Sequence, residues 1–152
     1  MVNSQSQIKS NTPDFLIVGA ARSGTTSLHF YLRQHPEIFM SLPKEPHFFS
    51  FAEENLPRQA AINNWQDYQK IFNQASSNQI KGEASTSYLL FYKRTIDNLK
   101  KYFSDYRQLK IIIILRNPTE RAFSHYQFYQ MNNVKPGGRW IIFDYLETGL
   151  YY

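Results

Sequence analysis

The sequence has no cysteine and no long hydrophobic run, and each absence excludes a class of protein. Without cysteine the chain has no disulfides, no thiolate metal sites and no cysteine nucleophile. No segment approaches the ~20 consecutive apolar residues of a membrane-spanning helix. The first residues are polar and lack the apolar core of a signal peptide. We therefore expect a cytoplasmic protein without a membrane partner.

The residues that are present are typical of a globular protein. Of the 152 residues, 42% are hydrophobic and 16% are aromatic, which is unlike the composition of a disordered segment. This length suits one domain, and we predict a polar tail over residues 1–13 and a domain over residues 14–152. The formal charge of +5 favours anionic partners. The basic residues form no stripe, however, so we expect no nucleic-acid partner.

A strand–loop–helix pattern occurs twice along the chain. Residues 15–18 form an apolar run, and residues 27–32 have apolar side chains at helical spacing. Residues 110–115 form a second run, rich in isoleucine, of the kind found in strands that are covered on both faces. Asn117 and Pro118 then suit the cap and the first position of a helix.

Further helices are predicted at residues 65–72, 95–103 and 121–129, and loops at residues 73–79 and 135–138. Strands separated by helices indicate an α/β fold, in which helices cover both faces of a parallel sheet. In such folds ligands bind at the carboxyl ends of the strands. Both strand–loop–helix patterns place their loops at that edge.

The loop after the first strand has the composition of a phosphate-binding turn. It contains Gly19, Arg22, Ser23, Gly24, Thr25, Thr26 and Ser27. Backbone N–H groups and the helix dipole bind phosphate at such a turn. The spacing is similar to that of a Walker P-loop, but Thr25 stands where the lysine belongs and the cation is Arg22. An ordinary glycine-rich turn with a helix cap has the same appearance, so the loop alone leaves both interpretations open.

The second strand leads to Arg116, at a place where P-loop nucleotidases hold Mg²⁺ with an aspartate. Ser124, on the following helix, offers a hydroxyl donor to the same anion. Taken alone, these two residues would be an ordinary surface cation and an ordinary helical serine. Together with Arg22 they predict a nucleotide with phosphate groups at two separate places, and no required metal.

Residues 15–28 and 114–126 together resemble the two nucleotide-binding motifs of sulfotransferases that use 3′-phosphoadenosine 5′-phosphosulfate (PAPS). The resemblance is to the carbohydrate, heparan-sulfate and bacterial branch of that family. It implies a P-loop-like, three-layer α/β fold around a parallel sheet. It also implies that Arg22 and the loop Ser23, Gly24, Thr25, Thr26 and Ser27 bind the 5′-phosphosulfate, and that Arg116 and Ser124 bind the 3′-phosphate.

Residues 43–49 resemble a segment of the carbohydrate branch in which a glutamate is the general base for the acceptor hydroxyl. The resemblance implies that Glu45 takes this role, with His47 beside it as a further catalytic residue. It also implies a glycan or small-molecule acceptor with a hydroxyl or amine group. A positioned base typically accelerates a reaction by about 10²–10⁴-fold.

Residues 82–88 resemble the next block of the family. Ala84 stands where the animal heparan-sulfate enzymes have a lysine. We therefore give Glu83, Ser85 and Ser87 secondary rank as site candidates.

The chain departs from the family pattern in two further respects. Arg22 replaces a lysine that contacts the leaving phosphate, and arginine keeps the charge but not the geometry. We therefore expect nucleotide binding to be better preserved than transfer. The resemblance also ends in the middle of the usual domain, so we expect a C-terminally truncated fold whose unpaired sheet edge favours homo-oligomers.

Two functions of different classes remain open from the sequence. The first is a PAPS-dependent sulfotransferase, and the second is a catalytically weak or inactive PAPS-binding fragment or oligomerisation module. Binding of adenosine 3′,5′-bisphosphate without turnover would identify the second. A P-loop kinase would need a lysine at position 25 and an aspartate at position 116, where the chain has Thr25 and Arg116.

Overall fold

Four parallel strands form the centre of the computed structural model, which describes residues 11–54 and 62–131. They are β1 (Phe15–Gly19), β2 (Ile38–Met40), β3 (Ile80–Ala84) and β4 (Lys110–Ile113). Their order across the sheet is β2-β3-β1-β4, and Phe15 pairs with Gly82 on one side and with Lys110 on the other. Because β1 and β4 are parallel neighbours, the loops that follow them lie at the same edge of the sheet.

Helices connect the strands and confirm the predicted strand–loop–helix pattern. They are α1 (Thr25–Arg33), α2 (Phe48–Phe51), α3 (Trp65–Lys70), α4 (Ser87–Leu90), α5 (Tyr92–Tyr102) and α6 (Pro118–Met131), with a 3₁₀ turn at Tyr106–Gln108. The predicted cap of α6 is confirmed, because Asn117 Oδ1 accepts the N–H groups of Thr119 at 3.0 Å and Glu120 at 3.3 Å. Within the described ranges no helix has the length and apolar character needed to cross a membrane.

The side chains of β1 alternate between two hydrophobic layers. Leu16 and Val18 pack on an aromatic layer built from α2, α3, α4 and α5, whereas Phe15 and Ile17 pack with Leu28 and other side chains on the face that α1 covers. Burial of one such side chain contributes about 1.5–3 kcal/mol. Helices therefore cover both faces of the central strand, which confirms the predicted three-layer α/β fold.

The expectation that both faces of β4 are covered does not hold among residues 11–54 and 62–131. Ile112 and Ile114 pack towards α1, but Ile111 and Ile113 are 48% and 50% exposed, so these residues cover only one face of the strand. Isoleucine favours strands in general, and a run of it does not tell how many faces a neighbour covers. Association of two copies at the sheet edge stays a prediction.

Two strands were not predicted from the sequence. Lys81, Gly82 and Glu83 give β3 a polar appearance, yet all three lie inside the molecule. Gly82 is required by close packing, since a Cβ at this position would lie 2.1 Å from Phe15 Cζ. The predicted domain limits stay predictions, and the predicted loop at residues 135–138 lies outside the described residues.

Candidate functional site

A cleft of about 440 Å³ opens at the carboxyl ends of β1 and β4. It is lined by residues from four separate segments: Ala21, Arg22, Gly24, Thr25, Thr26, Ser27, Glu45, Thr86, Arg116, Ser124, His125 and Phe128. Most of the predicted site residues are therefore in one place. A larger cavity, of about 690 Å³, lies between the end of α1, β2 and the end of α3 and contains none of them.

The loop between β1 and α1 is shaped to hold an anion. Arg22 and Gly24 have φ angles of 66° and 100°, and such left-handed residues turn backbone N–H groups into a concave surface. The first bond of this helix joins the Leu28 N–H to the Gly24 carbonyl, at 3.0 Å. The N–H groups before it have no partner within the helix. Ser23 Oγ is buried and has no hydrogen-bond partner among the described residues.

Two backbone hydrogen bonds join this loop to the segment after β4. Ala20 N–H donates to the Ile114 carbonyl, and Ile114 N–H donates to the Gly19 carbonyl, both at 2.8 Å. Side chains meet across the same junction, because Arg22 Nε donates to Ser124 Oγ at 3.3 Å. The Arg22 guanidinium also lies 4.8 Å from the centre of the Phe128 ring. The two predicted nucleotide-binding segments therefore form one continuous surface.

Arg116 lies on the cleft at the start of α6. Its Nε atom donates to Glu120 Oε2 at 3.0 Å, one helical turn away. This ion pair orients the guanidinium through Nε, while its Nη atoms carry four further N–H donors. The arginine side chain is 42% exposed, so it is accessible to an anion in the cleft.

Glu45 adds a carboxylate to the lining of the same cleft. Lys44 Nζ contacts Oε1, His47 Nε2 lies 3.4 Å from Oε2, and Thr86 Oγ1 donates to Oε1 at 3.5 Å. The hydrogen bond with His47, and then that with Lys44, lower the pKa of Glu45 to about 2 against the opposing effect of burial. The carboxylate is therefore ionised at neutral pH. His47 does not line the cleft itself but reaches it through Glu45.

Four residues that line the cleft were not among the predicted site residues: Ala21, Thr86, His125 and Phe128. Phe128 follows Ser124 by one helical turn, so the helical spacing of α6 was a usable signal. His125 is next to Ser124, and burial, Arg121 and Arg22 lower its pKa. Thr86 lies within residues 82–88, which resemble a block of the family, and the pairing of β3 with β1 brings this segment to the cleft.

These residues fit a nucleotide with two separated phosphate groups. The turn after β1 offers backbone N–H groups and the partnerless Ser23 hydroxyl, and Arg116 and Ser124 offer donors on the neighbouring segment. Neutral donors alone would bind a phosphate weakly. Charge-assisted hydrogen bonds from arginine are roughly twice as strong as hydrogen bonds between neutral groups. Within residues 11–54 and 62–131, no group of three or more His, Asp and Glu side chains is placed to hold a metal ion.

Comparison with known proteins agrees with this geometry. The family model described as "Sulfotransferase domain" matches residues 12–148. The chain belongs to the sulfotransferase family. This sulfotransferase domain is 32% identical over 116 residues to the membrane-associated sulfotransferase kil1 of Dictyostelium discoideum, a match that covers 76% of the chain and 23% of the relative.

Two human relatives carry carbohydrate names. Bifunctional heparan sulfate N-deacetylase/N-sulfotransferase 2 is 32% identical over 119 residues, covering 76% of the chain and 13% of the relative. Heparan sulfate glucosamine 3-O-sulfotransferase 6 is 33% identical over 114 residues, covering 75% of the chain and 30% of the relative. The sulfotransferase domain thus spans less than a third of each of these curated relatives.

A solved structure supports the fold directly. The sulfotransferase from Alicyclobacillus acidocaldarius superposes with a TM-score of 0.70 at 36% sequence identity. The match covers 82% of this chain and 53% of the bacterial one. The resemblance predicted from the two motifs is therefore confirmed at the level of family and fold.

Proposed function

We propose that this domain transfers a sulfuryl group from PAPS to a hydroxyl or amine of a glycan or small-molecule acceptor. The observation that carries the proposal is the meeting of Arg22, Ser124 and Glu45 around one cleft. The donors that we assign to two phosphate groups and a carboxylate that we assign as proton acceptor line this same cleft. The carbohydrate relatives favour a glycan among the possible acceptors.

Each residue has a defined task in this proposal. The N–H groups and hydroxyls of Ser23, Gly24, Thr25, Thr26 and Ser27 bind the 5′-phosphosulfate. Arg116 and Ser124 bind the 3′-phosphate and fix the nucleotide. PAPS supplies an activated sulfuryl group when bound, and adenosine 3′,5′-bisphosphate is the other product.

The proton and the charge that develop during transfer are assigned to two side chains. As the acceptor oxygen or nitrogen bonds to sulfur, the bond from sulfur to the phosphate oxygen breaks and its electron pair stays on the phosphate. Glu45 takes the proton of the acceptor, while Lys44 and His47 keep its carboxylate ionised beforehand. Arg22 stabilises the charge on the leaving phosphate, an electrostatic effect that is usually the largest in catalysis.

Calorimetric titration with adenosine 3′,5′-bisphosphate tests the nucleotide site. We expect Arg116→Ala to weaken binding by about 10–100-fold, because a charged hydrogen bond contributes about 1.5–3 kcal/mol. Arg107→Ala is the matched control, since Arg107 is a cation of the 3₁₀ turn that does not line the cleft. ATP should not match the affinity of the bisphosphate. Equal affinities of the Arg116→Ala and Arg107→Ala variants would contradict the assignment of the 3′-phosphate site.

Transfer of radioactive sulfate from PAPS tests the activity itself. A non-sulfated heparan-type glycan and a small phenol serve as acceptors, each with and without a chelator of divalent metals. We expect labelled glycan in both conditions, because the proposed roles require no metal. Tight nucleotide binding with no labelled product from any acceptor would instead favour the inactive nucleotide-binding module, in which Arg22 binds but does not promote transfer.

A further inference from the structure

Glu83, on β3, is a fully buried carboxylate that lies behind the cleft. Its Oε2 atom accepts hydrogen bonds from the hydroxyls of Tyr68 and Tyr88, each at 2.9 Å, and its Oε1 atom accepts one from Ser85 Oγ. A buried charge is costly unless it is hydrogen-bonded. Donors from α3, from α4 and from the end of β3 itself meet this requirement here.

Two of these three hydroxyls also hold backbone N–H groups. Ser85 Oγ accepts the His47 N–H at 3.0 Å, and the Tyr88 hydroxyl accepts the Phe49 N–H at 3.3 Å. A hydroxyl has a single proton, and in both residues Glu83 receives it. The oxygen lone pairs are then left to accept from the backbone. The carboxylate thus fixes the direction of both hydroxyls at the start of α2, where the side chain of the N-cap residue His47 forms no capping bond.

The segment held in this way carries the proposed base in an uncommon conformation. Glu45 and His47 have φ angles of 60° and 56°. Left-handed conformations of non-glycine residues cost about 1–3 kcal/mol each and persist where the surrounding structure enforces them. The end of β3 supplies the enforcing contacts, because Glu45 N–H donates to the Ala84 carbonyl at 3.0 Å and His47 N–H to Ser85.

The His47 side chain connects the β3–α4 segment to Glu45. Its Nδ1 atom lies 2.7 Å from Ser87 Oγ, and its Nε2 atom lies 3.4 Å from Glu45 Oε2. Ser50 Oγ donates to the same Ser87 hydroxyl at 2.9 Å. The ring is therefore fixed on one side by the β3–α4 segment and faces the proposed base on the other.

We infer that Glu83 is a positioning residue: by orienting the hydroxyls of Ser85 and Tyr88 it holds the backbone of His47 and Phe49 and so presents Glu45 to the cleft. Its part in transfer rests on the proposed function, whereas its hold on the turn does not. Above about pH 7, where Glu83 is ionised, its carboxylate accepts all three hydrogen bonds and donates none. In Glu83→Gln, an amide of the same shape would place an NH₂ group against a hydroxyl that donates to the carboxylate in the wild type.

Glu83→Gln tests the inference with three measurements on the same protein. The first is hydrogen exchange of the His47 and Phe49 amides, the second is affinity for adenosine 3′,5′-bisphosphate, and the third is sulfate transfer. We expect exchange at both amides to rise, and transfer to fall, by about tenfold, as expected for loss of one oriented hydrogen bond. Exchange in β1 and nucleotide affinity should stay at the wild-type level, because the nucleotide site lies on other segments.

Tyr68→Phe is the matched control. It removes the hydroxyl of α3 that donates to Glu83 Oε2, but the hydroxyls that accept from the His47 and Phe49 amides remain. We expect it to leave the exchange of both amides unchanged. Loss of packing around Glu83 in general would affect both variants alike.

The outcomes separate the two hypotheses. Unchanged exchange at His47 and Phe49 in Glu83→Gln would overturn the positioning role. If Glu83→Gln does not fold, Ser85→Ala replaces it in the test. We expect exchange of the His47 amide to rise in Ser85→Ala but not in Tyr68→Phe. Equal exchange of this amide in these two variants would overturn the positioning role. If the wild-type protein binds no adenosine 3′,5′-bisphosphate, the proposed function fails, but the exchange measurements still decide the role of Glu83.

Discussion

Glu45 and Glu83 are two carboxylates of one hydrogen-bond network, yet their proton affinities differ widely. A hydrogen bond with His47, assisted by Lys44, lowers the pKa of Glu45 to about 2, whereas burial raises the pKa of Glu83 to about 7. Glu45 is partly exposed and has the cationic partner Lys44; Glu83 is fully buried and has neutral hydroxyl partners. Neutral donors thus offset only part of the effect of burial, while a charged neighbour reverses it.

The largest effect is expected at the exposed member of the pair. Glu45→Gln removes the proposed proton acceptor but keeps the size of the side chain. We expect sulfate transfer to fall by about 10²–10⁴-fold, with the affinity for adenosine 3′,5′-bisphosphate unchanged. Transfer assays and calorimetry on the same preparation test this. Full activity in the variant would remove Glu45 from the role of base.

The buried member should affect stability in a pH-dependent way. Because folding raises the pKa of Glu83 from 4.5 to about 7, its favourable contribution is complete below the unfolded value and is lost as the pH rises through the folded one. Relative to Glu83→Gln, the wild type should lose up to about 3 kcal/mol of unfolding free energy between about pH 4 and pH 9.

Urea unfolding of both proteins across that pH range measures this difference. The titratable groups that act on Glu83 are Tyr68, Tyr88 and His47, and the substitution leaves all three residues in the sequence. A difference between the two proteins that does not change with pH would show that Glu83 does not titrate in this range.

A third carboxylate gives the smallest effect and serves as a reference. Glu53 is bonded to Lys101 Nζ at 2.6 Å and to the Tyr102 hydroxyl at 2.7 Å, and these bonds lower its pKa. Solvent screens such a surface pair, so it contributes little to stability. We expect Glu53→Gln to match the wild type in urea unfolding and in transfer. A loss of transfer as large as that of Glu45→Gln, or a change in stability as large as that of Glu83→Gln, would mean that solvent exposure does not determine the size of these effects.

Sequence patterns predicted the two strands and two helices that carry the nucleotide-binding loops. Apolar runs and capping residues predicted β1, β4, α1 and α6, and the two loops were correctly placed at strand ends. They failed for β3, because Lys81 and Glu83 interrupt any apolar run. Burial of Glu83 becomes possible only when hydroxyls from α3 and α4 reach it, and local spacing carries no sign of such distant partners.

The candidate site was predictable to the same degree. Motif spacing identified Arg22, Arg116 and Ser124, but their meeting depends on the pairing of β1 with β4. The position of His47 behind Glu45 depends on the turn that β3 enforces, which no local pattern encodes. The residue roles and the cytoplasmic location stay predictions.

The strand order described above has a consequence for the way in which the chain folds. β1 lies between β3 and β4, so every sheet partner of this early strand comes from much later in the chain. Pairings between distant segments carry a large loop-closure entropy and form slowly compared with local helices. During synthesis, β1 has no neighbour until β3 has emerged from the ribosome, and the Ile114 backbone that fixes the following loop arrives later still. The nucleotide-binding loop is thus among the first parts of the site to be made and among the last to take its shape.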